Sequence, residues 1–158
     1  MSEVARIGSQ LKRAAEGEAW HGPSLLELLA DVSAARAAAK PVPGAHGIWE
    51  IVLHVAAWQE FAARAVEGGS MPVDLAEEAN WPPVAGAGEE AWRASVEEAG
   101  EVNRRLRQAL RKFTDEDLER IVPGREYNFY FLLHGVVQHM LYHAGQIALL
   151  KRATTENL

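Results

Sequence analysis

Val4, Ile7, Leu11 and Ala14 recur at three- and four-residue steps, the spacing that puts side chains on one stripe of a helix. This predicts a first helix near the start of the chain. The segment from Pro23 to Ala39 is again helix-prone, with Asp31 and Ser33 placed to interrupt it and Pro41 and Pro43 to end it, so one or two short helices are expected. Ile48, Ile51, Val52, Val55, Trp58, Phe61, Ala62 and Ala65 form a wide apolar face closed by Gly68-Gly69, which predicts a second long helix. The following stretch, with Trp81-Pro82-Pro83 and Gly86 to Gly88, cannot hold a regular helix and predicts a long connection, of the kind that crosses over in a bundle. A third long helix is expected from about Glu89 to Arg111, with Trp92, Val96, Ala99, Leu106 and Leu110 facing inward. Thr114 to Asp117 resembles a helix start, because the hydroxyl and the carboxylate can satisfy free amide groups, and a short helical turn should follow. Asn128 to about Arg152 is strongly apolar and ends on Lys151 and Arg152, where cations favour the helix dipole; this predicts the last long helix.

No run alternates with period two for long enough to make a strand, and no internal repeat is visible. The expected fold is all-α, a four-helix bundle in one domain over residues 1–158. A chain of 158 residues that is 48% hydrophobic suits one core. The net charge of -6 narrows the partners: Arg104, Arg105 and Arg107 lie among Glu97, Glu98 and Glu101 and form no basic stripe, so no nucleic acid is expected. Met1 to Ala15 mixes charges with its apolar residues, and no later apolar run is long enough to span a bilayer. A soluble, cytoplasmic protein with no membrane partner is the expectation. The absence of cysteine excludes disulfides, catalytic thiols and thiolate metal sites, so any transition-metal centre must be built from His, Asp or Glu.

The histidines are His21, His46, His54, His134, His139 and His143. On a helix His139 and His143 are about 40° apart around the axis and one turn up, so both rings can reach one point. His134 lies roughly 140° away from His139 and cannot easily join them. His54 falls on the apolar face of the second long helix, where a protonatable ring needs a partner, and a shared metal ion would supply one. Zinc, nickel and iron accept neutral imidazole, and three His ligands leave positions open for water or substrate. The competing reading is that these are ordinary hydrogen-bonded histidines, and His21, His46 and His134 are assigned to structure. The pair is spaced as in the zinc-protease helix H-E-x-x-H, but Met140, Leu141 and Tyr142 intervene and the glutamate base is missing, which disfavours a metalloprotease. Gln146, three after His143, could bond a ligand or water, and Glu50, four before His54, could orient that ring; an ordinary buried polar contact and a solvated helix-start charge are the alternatives. Tyr142, three after His139, could point its hydroxyl toward the site, although an aromatic at helical spacing is more often core, and Trp49, Trp58, Trp81 and Trp92 read as packing, with Trp81 beside two prolines able to line a pocket mouth.

Two segments, Ile48-Trp49-Glu50-Ile51-Val52-Leu53-His54 and His139-Met140-Leu141-Tyr142-His143-Ala144-Gly145-Gln146-Ile147, resemble the signatures of the DinB/YfiT-like superfamily, and the Trp81-Pro82-Pro83 turn is similar too. The resemblance runs from the first helix to Arg152. It implies an up-down-down-up four-helix bundle with a crossover between long helices two and three. It also implies one divalent metal ion, zinc or nickel with iron and manganese as further candidates, held by His54, His139 and His143, and frequent homodimers. Better-understood members include metal-dependent transferases that join low-molecular-weight thiols to electrophiles and a thiol-dependent maleylpyruvate isomerase.

The expected function is therefore a metal-dependent enzyme, a transferase or hydrolase, that activates a small thiol or water for attack on a small-molecule electrophile. A thiol cofactor would need cations for its carboxylates, with Arg125 or Arg36 as suppliers. The alternatives are a non-catalytic module that holds a metal or small ligand in a stress response, and an ion that only staples two helices together.

Overall fold

A computed structural model describes residues 1–155. The named elements are α1 (Glu3–Glu16), α2 (Leu25–Leu29), α3 (Ala34–Ala38), α4 (Ile48–Val66), α5 (Glu77–Asn80), α6 (Gly88–Leu110), a 3-10 turn (Glu116–Glu119) and α7 (Phe129–Thr155). The chain is all-helical, and an isolated antiparallel bridge between Ile121 and Asn128 is the sole strand-like feature among the described residues. None of their helices is long and apolar enough to cross a membrane.

Local chemistry accounts for the element boundaries. The Ser2 hydroxyl accepts from Ala5 N–H, and the Asp115 carboxylate accepts from the N–H groups of Glu3 and Val4 at 3.0 Å, so the orphan donors at the start of α1 are satisfied from the far end of the fold. Glu27 and Glu50 each reach back to the N–H just before their own helix, Ser24 at 2.8 Å and Gly47 at 2.8 Å. Asn128 Oδ1 accepts from Phe131 N–H and starts α7. The expected turn after Thr114 is the 3-10 turn, with Thr114 N–H donating to Asp117 and Asp117 N–H returning to the Thr114 hydroxyl.

The four long helices share one core. α4 packs against α6 and α7, and α1 packs against the same two. Ile7, Leu11, Val52, Val55, Leu106, Leu133 and Ile147 are fully buried along these seams.

The connection between α4 and α6 departs from the expectation in one respect. It contains a single helical turn, α5, which occupies the four residues just before Trp81-Pro82-Pro83 where neither proline nor glycine intervenes. The connection is tied down at two places. The first joins residues 71–73 to 123–125, where Met71 N–H donates to Pro123 O at 3.0 Å and Arg125 Nη1 donates to Val73 O at 3.1 Å. Gly124 makes this approach feasible: its φ is +84°, and a Cβ there would lie 2.4 Å from Met71 O. The second tie is Asn80, which leads directly to the histidines.

Candidate metal centre

His54 rises from the middle of α4 on the buried side, and His139 and His143 stand one turn apart on the facing side of α7. Residues far apart in sequence thus bring three imidazoles to one place. His54 Nε2 lies 2.9 Å from His139 Nε2, and His143 Nε2 lies 3.1 Å from the same atom. His54 and His143 are only 6% and 5% exposed, and His139 is half-buried.

The opposite edges of two of the rings decide what the Nε2 atoms carry. His54 Nδ1–H donates to the backbone carbonyl of Asn80 at 2.6 Å, and His143 Nδ1–H donates to Gln146 Oε1 at 2.6 Å. A carbonyl oxygen can only accept, so in the neutral rings both Nδ1 atoms hold the proton and both Nε2 atoms present lone pairs. A buried cluster of this kind cannot be charged cheaply. Burial first, and then His143 and His54, push the His139 pKa down to about 3. Burial is also the leading reason that His54 and His143 lie below the ordinary histidine range. Three neutral nitrogens therefore converge, with no more than one proton among them.

This donor set fits a cation. The ligand atoms of the three rings all lie within 4.8 Å of one another, so the cluster could hold one metal ion. Anchoring of the second ring nitrogen by a carbonyl or amide oxygen is the usual way a metal-binding imidazole is oriented. Among the described residues no fourth His, Asp or Glu joins the group.

Aromatic rings wall the cluster. Trp81 is stacked between His46 and His54, with ring centroids 3.6 and 3.9 Å away and planes within 10° in both pairs. Trp58 donates from Nε1 to Asn80 Oδ1 at 3.0 Å and tilts against His139. Two clefts open beside the cluster, and His54 lines both. One, of about 390 Å³, runs past His139 between Trp58, Tyr127, Phe131 and Val136. The other, of about 460 Å³, runs past His143 between His46, Trp81, Tyr142 and Leu149. No Arg, Lys, Asp or Glu lines either cleft.

Several expectations change. Glu50 does not touch His54: its carboxylate accepts from Gly47 N–H and Lys40 and faces His46, because the free amides of the first helical turn are nearer than a ring one turn on. Tyr142 is no core residue; it is 65% exposed and sets its ring edge-on to His143 at the rim of the second cleft. Gln146 binds His143. Arg36 bonds Thr154 and the Lys151 carbonyl, and Arg125 bonds Val73 O, so neither lines a cleft. His134 faces Glu3 at 3.7 Å, and His21 lies exposed in the loop after α1. Asn80 and Trp58 were not singled out for the site by sequence, and the Trp-Pro-Pro turn beside Asn80 was the nearest signal.

Comparison with known protein families matches residues 19–147 to the DinB superfamily. No curated protein and no solved structure matches the chain significantly.

Proposed function

Because the chain belongs to the DinB superfamily, we propose that it is a metal-dependent enzyme in which His54, His139 and His143 hold one divalent ion, zinc or nickel, and a small thiol or water is activated to attack a small electrophile. The observation that carries this reading is the convergence of three neutral Nε2 atoms, two of them held as lone pairs by the Asn80 carbonyl and Gln146. When bound, such an ion supplies Lewis acidity that lowers the pKa of a coordinated thiol or water. The chain's own part is to hold the rings, exclude bulk water with Trp58 and Trp81, and leave two clefts in which reactants can meet the open side of the cluster. With three protein donors and no fourth among the described residues, an open site is better supported than a closed staple. The uncharged walls favour water or an uncharged thiol over a thiol bearing carboxylates.

We read the surrounding architecture as a single-domain, up-down-down-up bundle. Contacts advance together along α4 and α6, from Trp49 with Ser95 to Gln59 with Asn103, as parallel helices require. Along α1 and α6 they run oppositely, from Val4 near the Asp115 end to Leu11 with Asn103. A cytoplasmic homodimer is part of the same reading, and exposed Phe131, Tyr142 and Leu149 on α7 are compatible with a partner face.

The test is metal content by mass spectrometry on protein purified without metal-affinity resin and equilibrated with zinc or nickel, followed by turnover assays on uncharged esters and epoxides with and without thiol. About one ion per chain, lost in His54→Ala and His143→Ala together with turnover, is the expected result. Wild-type protein that binds no ion sinks the proposal, and a bound ion with no turnover leaves the non-catalytic module.

A further inference from the structure

The cleft beside His139 has a notch whose origin is a single residue. Phe131, Gly135 and His139 follow one another at four-residue steps, so they form one ridge of α7 along the cleft wall. The middle member has no side chain. Glycine inside a helix costs about 1 kcal/mol relative to alanine, and here packing does not require it: a Cβ built on Gly135 meets nothing within 4 Å. The space that a side chain would fill is the cleft itself, between the Phe131 ring and the imidazole of His139. Trp58, Tyr127, Leu132 and Val136, with Asn80 and His54, complete the walls, and no Arg, Lys, Asp or Glu is among them. A cavity of about 390 Å³ lies near the lower end of the range for small-molecule sites.

We infer that this cleft is the subsite for an uncharged, apolar portion of the substrate, of the size of one or two fused rings, and that Gly135 sets how large that portion can be. The inference rests on the proposed function in taking the neighbouring histidines as the reactive centre, and it adds the substrate class. An apolar ring lying in the notch would stack along the Trp58 and Phe131 walls and lie beside His139. A carboxylate or ammonium there would lose its water and find no opposite charge among the walls.

The test uses zinc-equilibrated full-length protein titrated with indole, an uncharged fused-ring probe, by calorimetry, with zinc content measured on each sample. The variants are Gly135→Leu, Gly135→Ala and, as a control, Gly145→Leu. Gly145 is also inside α7 with nothing within 4 Å of a built Cβ, but it lines neither cleft, so it gains the same helix propensity without filling the notch. The expected result is indole binding to the wild type, weakened at least tenfold by Gly135→Leu, weakened less by Gly135→Ala and unchanged by Gly145→Leu, with zinc content equal throughout. Equal affinity in wild type and Gly135→Leu, or no indole binding by wild type, overturns the inference. Should Gly135→Leu fail to fold, the Gly135→Ala titration decides in the same way. Absence of zinc from the wild type would overturn the metal reading instead, and the indole titration would still decide this one.

Discussion

Two buried polar clusters hold this molecule's helices in contact, and they are built on opposite principles. Between α4, α6 and α1, Asn103 Nδ2 donates to Gln59 Oε1 at 2.7 Å, Asn103 Oδ1 accepts from Arg107 Nε at 2.9 Å, and Arg107 ends on Glu16. Gln59 Nε2 in turn donates to Val55 O. Each donor faces an acceptor, so the network is complete in itself. Between α4 and α7, three Nε2 atoms face one another with no more than one proton, on His139, to share among them. The first cluster gains nothing from a further component. The second leaves at least two of its three lone pairs without a proton from its own rings, which is what a cation would complete.

Acid should separate the two most strongly. His139 sits at about 3 in the folded protein against an ordinary 6.5, so between those values the unfolded chain binds a proton that the folded chain refuses. Stability of metal-stripped protein is therefore expected to be flat above about pH 6.5 and to fall as pH drops toward 3, and His54 and His143 act in the same direction. Gln59 and Asn103 carry no titrating group and add nothing to this slope. Urea unfolding midpoints across the acid range check it; a constant midpoint down to about pH 4 would break the contrast.

The next effect is on the closed network. Asn103→Leu strands Gln59 Oε1 and Arg107 Nε and is expected to cost about 1–3 kcal/mol in urea unfolding while leaving zinc content unchanged. A parallel loss of zinc would show that the two clusters are coupled.

The smallest effect on stability, and a clear one on binding, is expected from Gln146→Leu. The change frees the His143 ring to turn, so zinc affinity should fall about ten- to hundredfold with the melting temperature of the metal-free protein little altered. Unchanged affinity, measured by competition with a chelator, would mean that packing alone orients His143.

Much of this architecture is legible in the apolar stripes. Val4, Ile7 and Leu11 lie buried along α1, and the Ile48–Ala65 pattern becomes α4 with its ends within a residue of the reading. Helix geometry likewise puts His139 and His143 at one point, and burial brings His54 to them. What sequence could not reveal is instructive. Asn80 acts on His54 through its backbone carbonyl, a group that every residue owns, so side-chain type carries no signal of it. For Glu50 the sequence leaves two readings open, a partner for His54 and a helix-start charge, and the amide at Gly47 decides for the second, which spacing along α4 does not reveal. The choice between core and site stays open for Tyr142 in the sequence because α7 is apolar on most of its circumference, and in such a helix an aromatic gives no clue to which side meets solvent.

The span of the cluster has a consequence for how the protein is made. His54 and His139 meet across 85 residues of chain. At a synthesis rate of about 5–20 residues per second, His54 waits several seconds for its partners. A nascent chain that ends before α7 owns one of the three histidines, so two of the three proposed ligands are still missing. On the proposed metal reading, tight capture of the ion is thereby deferred until the last long helix has docked.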